Sequence, residues 1–258
     1  MRLKRILLQA LVALGYEVRR RDDRVTMEGL LLQARANGLA PATVIDVGAG
    51  RGDFSASCAK IFPDARYTLV EPLSEFAAAL RRLTESLPAS VVIEAIAAAQ
   101  PGTATVNVHP DLFGSSLYRE VEGPSVDGTP RKVAATTLDD IVHKHDLKPP
   151  FLLKLDVQGA ELDVLAGGAN TIANTELAIL EASMFGFFVH GPQFADIVKR
   201  MKDLGFVVYD MVGLAHRPLD GALAQADVAF VKEQGLLRQQ HHFATPMQRC
   251  RLVKRFQT

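Results

Sequence analysis

"VIDVGAGRGDF", residues 44–54, is the stretch on which the fold turns. An apolar run ending in an acid, Asp46, passes into three glycines at alternate positions, Gly48, Gly50 and Gly52, and then into a segment able to start a helix. Strand, tight turn and helix in that order make a cofactor loop of the nucleotide-binding type. A dinucleotide loop needs G-x-G-x-x-G, so that the third glycine allows close helix–strand packing. Here that place is Asp53, and the glycine falls one residue early. Asp46 below the loop would repel a diphosphate, and no Gly-Lys-Ser/Thr follows to make a P-loop. The pattern D-x-G-x-G-x-G suits a ligand without phosphate that carries an ammonium group and ribose hydroxyls. S-adenosylmethionine is such a ligand, with an acid at Asp46 for its amino group and helix-start amides for its carboxylate. For the motif alone, a plain tight turn is the alternative.

Working outward, residues 28–37 have helical spacing and stop at Gly38, with Pro41 beyond. Residues 44–47 form the first strand and 53–62 the helix after the loop. A second strand over 65–72, a helix over 74–86 with Ser74 as N-cap, and a third strand over 91–97 follow. This succession predicts a parallel sheet with right-handed crossovers. "GTATVNVHP" alternates as a half-exposed strand, and 114–128, rich in Gly, Ser and Pro, reads as a mobile loop. Thr137 opens a capping box ahead of a short helix. "FLLKLD" is a buried strand to Asp156, followed by a helix that ends near Gly167 and Gly168. "ELAILEAS" is a fifth strand, 193–204 a helix, and "FVVYDMV" a sixth strand. Asp220-Gly221 turns the chain into a returning strand at 228–231. The fold predicted is α/β and Rossmann-like: seven strands, mostly parallel, closed by an antiparallel hairpin, with helices on both faces. Residues 1–40 form an N-terminal helical extension, 41–233 the catalytic domain, and 234–258 a tail that is weakly ordered or a surface helix.

In such a sheet, ligands lie beyond the carboxyl ends of the strands, at the topological switch point. The acids that close the strands are Asp46, Glu71, Asp156 and Glu181. Glu71 lies one βα unit after the glycines, where a ribose-binding carboxylate belongs. With Ala49 in the loop, Pro72 after Glu71 and Ala97 at the end of the third strand, these complete a cofactor set. Lys154 and Asp156 share one strand face roughly 7 Å apart. A lysine inside "FLLKLD" must find a carboxylate, Asp156, Glu181 or Asp46, because an unpaired buried charge is costly. Two roles stay open for it: a structural ion pair, or organising an acceptor hydroxyl and its proton. His190, after the fifth strand, is the histidine best placed for proton transfer. Ser115 and Ser116 in "FGSSLY" offer hydroxyls from a lid or from a mere connection, and Gln158 and Glu181 complete a substrate set. No HxH, HExxH or carboxylate cluster has ligand spacing, so no metal is assigned.

Composition narrows the partners. Hydrophobic residues at 48% and charged ones at 22% are ordinary for a globular protein. The net charge of zero gives no general case for nucleic acid. Two isolated cysteines, Cys58 and Cys250, make neither a zinc site nor a disulfide framework and suit a cytoplasmic, reducing compartment. The N-terminal "MRLKRILLQALVALGYEVRRR" imitates a secretory signal but lacks an A-x-A cleavage site. It reads as a helix over residues 3–14 packed on the domain, with docking on an acidic membrane surface through its arginines and lysine as the second reading. Self-association is left open.

"VIDVGAGRGDFS", "LVEP", "GSSL", "TTLDDIV", "LLKLDVQGAELDVLAGG" and "LAILEAS" together resemble, in order, the motifs of FkbM-type methyltransferases. The resemblance runs from Thr43 to Val231 and includes the closing hairpin. It implies S-adenosylmethionine as cofactor and methyl transfer to a hydroxyl of a sugar, glycolipid or natural product. One departure stands out: where the family commonly reads Asp-Val-Glu-Gly-Ala-Glu, the middle acid here is Gln158. Glutamine keeps the shape but can neither hold negative charge nor take a proton. A non-catalytic S-adenosylmethionine-binding protein of the same fold is therefore the rival reading.

Overall fold

The structure, a computed structural model, describes residues 23–87 and 89–256. The expected helix over residues 3–14, and the membrane surface it would offer, lie outside the described residues. Thr26 caps the first helix, α1 (Met27–Ala36), by accepting from the Gly29 amide. The fold-deciding stretch then builds β1 (Thr43–Val47) and α2 (Asp53–Ile61). Every residue of β1 is buried, and so is every residue of β7 (Phe151–Leu155), which pairs with it in parallel. Near-continuous apolar strands of this kind belong to a parallel sheet covered on both faces.

The other elements, in chain order, are β2 (Arg66–Val70), α3 (Ala77–Ser86), β3 (Val91–Ile93), β4 (Ile96–Ala97), β5 (Gly102–Val108), β6 (Thr129–Thr136) and α4 (Leu138–Lys144). After β7 come α5 (Glu161–Ala166), α6 (Ala169–Ala173), β8 (Thr175–Ser183), α7 (Phe194–Asp203), β9 (Phe206–His216), β10 (Leu223–Lys232) and α8 (Pro246–Phe256). The main sheet runs β3-β2-β1-β7-β8-β10-β9. Its first five strands are parallel, and β10 is antiparallel to both β8 and β9. Alternation divides the core. Val44 and Leu152 pack on one face with Leu30, Leu31 and Leu69, while Ile45 and Leu153 pack on the other with Val164, Ile172 and Phe206. The chain leaves β1 in one direction through β2 and β3 and resumes at β7 on the other side. That makes the β1/β7 boundary the switch point.

Three expectations need correction. The third strand, expected over 91–97, breaks at Glu94 and Ala95: β3 stays in the main sheet, while β4 joins β6 and β5 in a separate three-stranded sheet. β6, "TPRKVAAT", was not expected at all; one proline and two cations on a strand with no buried residue mask its period. Ser74 caps nothing; it opens a 3-10 turn (Ser74–Phe76) that runs into α3, and its hydroxyl meets Glu75. Thr137 does cap α4, accepting from the Asp140 amide. The tail carries a 3-10 turn (Leu236–Arg238) and then α8, and Leu236 rests against Gly38.

Candidate active site

A cavity of ≈ 280 Å³ lies over the carboxyl ends of β1, β2, β7 and β8. Its size is near the lower end of the ~300–1,000 Å³ of small-molecule pockets. The small sheet supplies a side wall through Ile96, Ala97 and Val106, and residues 112–117 run over it. Ten of the residues singled out from sequence line it: Gly48, Gly50, Glu71, Pro72, Ala97, Ser115, Ser116, Asp156, Gln158 and Glu181. Glu71, Asp156 and Glu181 are the only charged residues among the lining.

At one end, both oxygens of Glu71 are fixed by the backbone. The Gly50 amide donates to Oε2 at 2.8 Å and the Leu73 amide to Oε1 at 2.9 Å. Each oxygen keeps a lone pair, so the carboxylate can still accept from two hydroxyls. Burial, against the pull of those amides, holds its pKa above the ordinary value. Gly48 allows the two central strands to meet backbone to backbone, since a Cβ on it would sit 1.8 Å from the Asp156 carbonyl oxygen. Gly52 starts α2 at φ 84°, with Leu83 and Leu80 packed against it. Ala49, between Gly48 and Gly50, is part of the buried core.

Asp46 does not reach the lining. It is 2% exposed and accepts from the Ser55 hydroxyl at 2.6 Å, below the loop. Burial pushes its carboxyl up to about 6, against the Ser55 bond and the Lys154 charge. Its place is underneath the glycine loop, tying β1 to α2.

At the other end, Gln158 holds two acids together. Its Nε2 donates to Asp156 Oδ1 at 3.1 Å and to Glu181 Oε2 at 2.6 Å, and Gln225 Nε2 also donates to Glu181 Oε2 at 3.1 Å. Lys154 lies below this layer with its side chain 5% exposed. It pairs with Asp156 at 3.2 Å and with Asp227 at 2.9 Å. Burial alone would lower its pKa; the two carboxylates more than offset that and hold it above its ordinary value as an ammonium. Of the partners expected for Lys154, only Asp156 is among the ion pairs. Asp227 was missed because it stands on β10, brought opposite Glu181 by antiparallel pairing. The signal was there: in "LAQADVAFVK" two polar residues, Gln225 and Asp227, sit two apart in an apolar strand. Burial first, then the Asp156 charge, pushes Glu181 up to about 8. Burial also pushes Glu161, whose Oε1 accepts from the Gly159 amide, up to about 7.

The loop over the cavity is irregular, as expected, but pinned. Ser116 Oγ donates to the Gln158 carbonyl at 2.6 Å, and Ser115 Oγ to the Leu112 carbonyl at 2.7 Å. The Phe113 ring lies 5.3 Å from that of Phe76 and under the Arg51 guanidinium at 5.2 Å. Farther on, isolated bridges join Asn107 to Ser116 and Glu120 to Phe188. His190 is exposed, in a left-handed turn at φ 65°, and is not part of the lining. Among the described residues, no group of three or more His, Cys, Asp or Glu is placed to hold a metal. None of the described helices is long and apolar enough to cross a membrane.

Sheet order, switch-point cavity and strand-end acids define a methyltransferase of the Rossmann-like, seven-stranded kind. A family model described as the methyltransferase FkbM domain matches residues 46–208, and the chain belongs to that family. The lining suits the S-adenosylmethionine expected from the sequence: acids and no cation among the described lining residues favour a positively charged ligand over a diphosphate. Similar solved structures include an FkbM methyltransferase from Methylobacillus flagellatus, 17% identical with a TM-score of 0.48, covering 80% of this chain and 48% of that one. This chain thus spans about half the length of that protein. A magnesium protoporphyrin IX methyltransferase from Synechocystis with bound S-adenosylmethionine is 14% identical, with a TM-score of 0.44 and coverage of 84% and 86%. An N1-methyltransferase for 1,6-didemethyltoxoflavin from Burkholderia thailandensis, bound to S-adenosylhomocysteine, is 14% identical, with a TM-score of 0.42 and coverage of 90% and 89%. No protein of curated function matches the chain in sequence.

Proposed function

We propose that the chain is an O-methyltransferase whose acceptor is an uncharged hydroxyl on a sugar, glycolipid or other small natural product. The observation that carries this reading is the division of one cavity into a Glu71 end and an Asp156–Gln158–Glu181 end. When bound, S-adenosylmethionine supplies an electrophilic methyl on a sulfonium. The task left to the chain is to hold an acceptor oxygen in line with it, and such positioning contributes a large share of rate enhancement. Glu71 would take the ribose hydroxyls, with the glycine-loop amides beside it. Asp156 is steadied by the buried Lys154 and by Gln158, so it can accept from a neighbouring hydroxyl of the acceptor without moving. Two acids, Asp156 and Asp227, share a single buried cation at this end, with Glu181 beside them. That excess would repel a phosphate or carboxylate on the acceptor and tolerate a neutral polyol.

The test is transfer of labelled methyl from S-adenosylmethionine to a panel of neutral methyl glycosides, with sugar phosphates alongside. Turnover of neutral hydroxyl acceptors in preference to the phosphates is expected, as is loss of S-adenosylhomocysteine affinity in Glu71→Ala. Methylation confined to nitrogen or carbon acceptors would remove the hydroxyl reading. Unchanged affinity in Glu71→Ala would remove the placing of the ribose.

A further inference from the structure

We infer that Glu181 is the group that takes the proton from the acceptor hydroxyl, and that Gln158 is the residue that positions it. The inference rests on the hydroxyl-transfer reading above. It follows from which oxygens in the cavity are already committed. Both Glu71 oxygens hold backbone amides, and both Asp156 oxygens are engaged, Oδ1 by Gln158 and Oδ2 by Lys154; each can still accept a hydrogen bond, but the donors already held favour the anion and oppose taking up a proton there. Lys154 is an ammonium shared by two acids below the lining. The side-chain hydroxyls of Ser115 and Ser116 are spent on backbone carbonyls. Glu181 differs. Its Oε2 is anchored by Gln158 and Gln225, while its Oε1 accepts from none of the described residues. It lines the cavity on one fixed oxygen with the other uncommitted.

The surroundings suit a base. Asp156 beyond β7, Asp227 on β10 and Glu161 on α5 all favour the protonated form of Glu181, and Lys154 on β7 opposes them. With burial as the largest cause, the carboxyl is pushed up to about 8, close to the working pH at which a general base is most effective. In the step, an acceptor oxygen lone pair forms the bond to the methyl carbon. The carbon–sulfur bond breaks with its electron pair remaining on sulfur, and the hydroxyl proton passes to Glu181. Proton transfer of this kind contributes ~10²–10⁴-fold.

Gln158 is held for its part. Its backbone sits at φ 51°, in the left-handed region uncommon for a side-chain-bearing residue, and its carbonyl is gripped by Ser116. Its amide then donates to both acids at once. A glutamate at this position would put a third acid between Asp156 and Glu181 in place of the donor. Gln158 is therefore no lost base; it bridges the two acids and keeps one of them aimed.

The experiment is a titration of protein labelled with ¹³C at the glutamate side-chain carboxyls, saturated with S-adenosylhomocysteine, alongside kcat/KM against pH for methyl transfer to neutral methyl glycosides. Expected are a carboxyl resonance with a midpoint near 8 that is missing in Glu181→Gln, an upward shift of that midpoint in Gln158→Glu, and a rate that rises with pH through the same midpoint. Glu181→Gln should keep its affinity for S-adenosylhomocysteine while losing at least ~10²-fold in rate together with the pH dependence. A midpoint in the ordinary range of ~4–5 would overturn the inference. So would a Glu181→Gln enzyme with wild-type rate and profile. If the wild-type protein binds S-adenosylhomocysteine but methylates only nitrogen or carbon acceptors, the hydroxyl reading falls. The inference about Glu181 falls with it, whereas a pH-independent rate on a hydroxyl acceptor removes the inference and leaves that reading standing.

Discussion

At the scale of single residues, the tightest constraint is the meeting of Gly48 and Asp156. The Asp156 amide donates to the Val47 carbonyl at 3.0 Å, and the Gly48 amide to the Val70 carbonyl at 2.9 Å. A side chain at Gly48 would have to occupy the space of the Asp156 carbonyl, 1.8 Å away, at a φ of 77°. Gly48→Ala is therefore expected to push the loop off β7 and to weaken S-adenosylhomocysteine binding at least ~10-fold by calorimetry, the loss of about 1.4 kcal/mol. Gly50→Ala should cost less, because the added carbon meets only the Phe113 ring, at 3.4 Å. Equal effects would mean that left-handed strain, about 1–2 kcal/mol per residue, outweighs the contact. Lys154 gives the second prediction. Lys154→Met leaves Asp156 and Asp227, 38% and 21% exposed, without their cation, and should lower stability, read from the denaturant midpoint, by less than the about 3–5 kcal/mol that breaking a fully buried pair costs. A denaturant midpoint within error of wild type would show that the two acids simply protonate. That this lysine needed a carboxylate was legible in "FLLKLD", because buried charge cannot stand alone. Which carboxylate was not, because strand pairing and not sequence distance brings Asp227 to it.

At the scale of elements, the segment between β5 and β6 joins the two ends of the cavity. Phe113 rests on Phe76 and on Gly50 at the cofactor end, and Ser116 grips the Gln158 carbonyl at the acceptor end. Phe113→Ala removes a ring that is 51% exposed, so little folding stability depends on it. What it covers is the glycine loop. Its loss is expected to speed S-adenosylhomocysteine release by ~10-fold in stopped flow with the melting temperature nearly unchanged, since related-site affinity changes reside mostly in dissociation. Unchanged release would mean that the loop is no lid. The parallel strands and their helices were legible because burial on both faces leaves long apolar runs, and the acids at their ends stood out against those runs. β6 and the small sheet were not. β6 has no buried residue, so its alternation of half-buried and exposed positions leaves only a weak apolar signal, and its partners, β4 and β5, are set by tertiary contact. Glycine and proline marked residues 114–128 as irregular, but irregular backbone can still be fixed, here by Ser115, Ser116 and two isolated bridges.

At the scale of the whole molecule, the buried acids at and beneath the site set the pH dependence of stability. Burial raises Asp46 to about 6, Glu161 to about 7 and Glu181 to about 8. A folded-state pKa above the unfolded value means that the folded protein holds the proton more tightly. The stability so gained is complete below the unfolded values near ~4 and is lost as pH rises through the folded ones. The groups lowered to about 2, Glu75 beside Arg131 and Asp220 beside Arg217, have the opposite sign, and their contribution is lost only as the solution turns strongly acidic. Both are exposed pairs, which contribute little. The melting temperature should therefore fall between about pH 5.5 and about pH 8.5, Glu161 alone accounting for a loss on the order of 2 kcal/mol, or roughly 4–8 °C. Glu161→Gln keeps an acceptor for the Gly159 amide and removes the titration, so its curve should be flatter than wild type across that window. A melting temperature that rises with pH would mean that these acids are stabilised as anions in the folded protein. The lysine beneath them would then be neutralising more charge than its two ion pairs account for. Methyl transfer and stability are thus expected to have opposed optima, because a deprotonated Glu181 serves the reaction and a protonated one serves the fold.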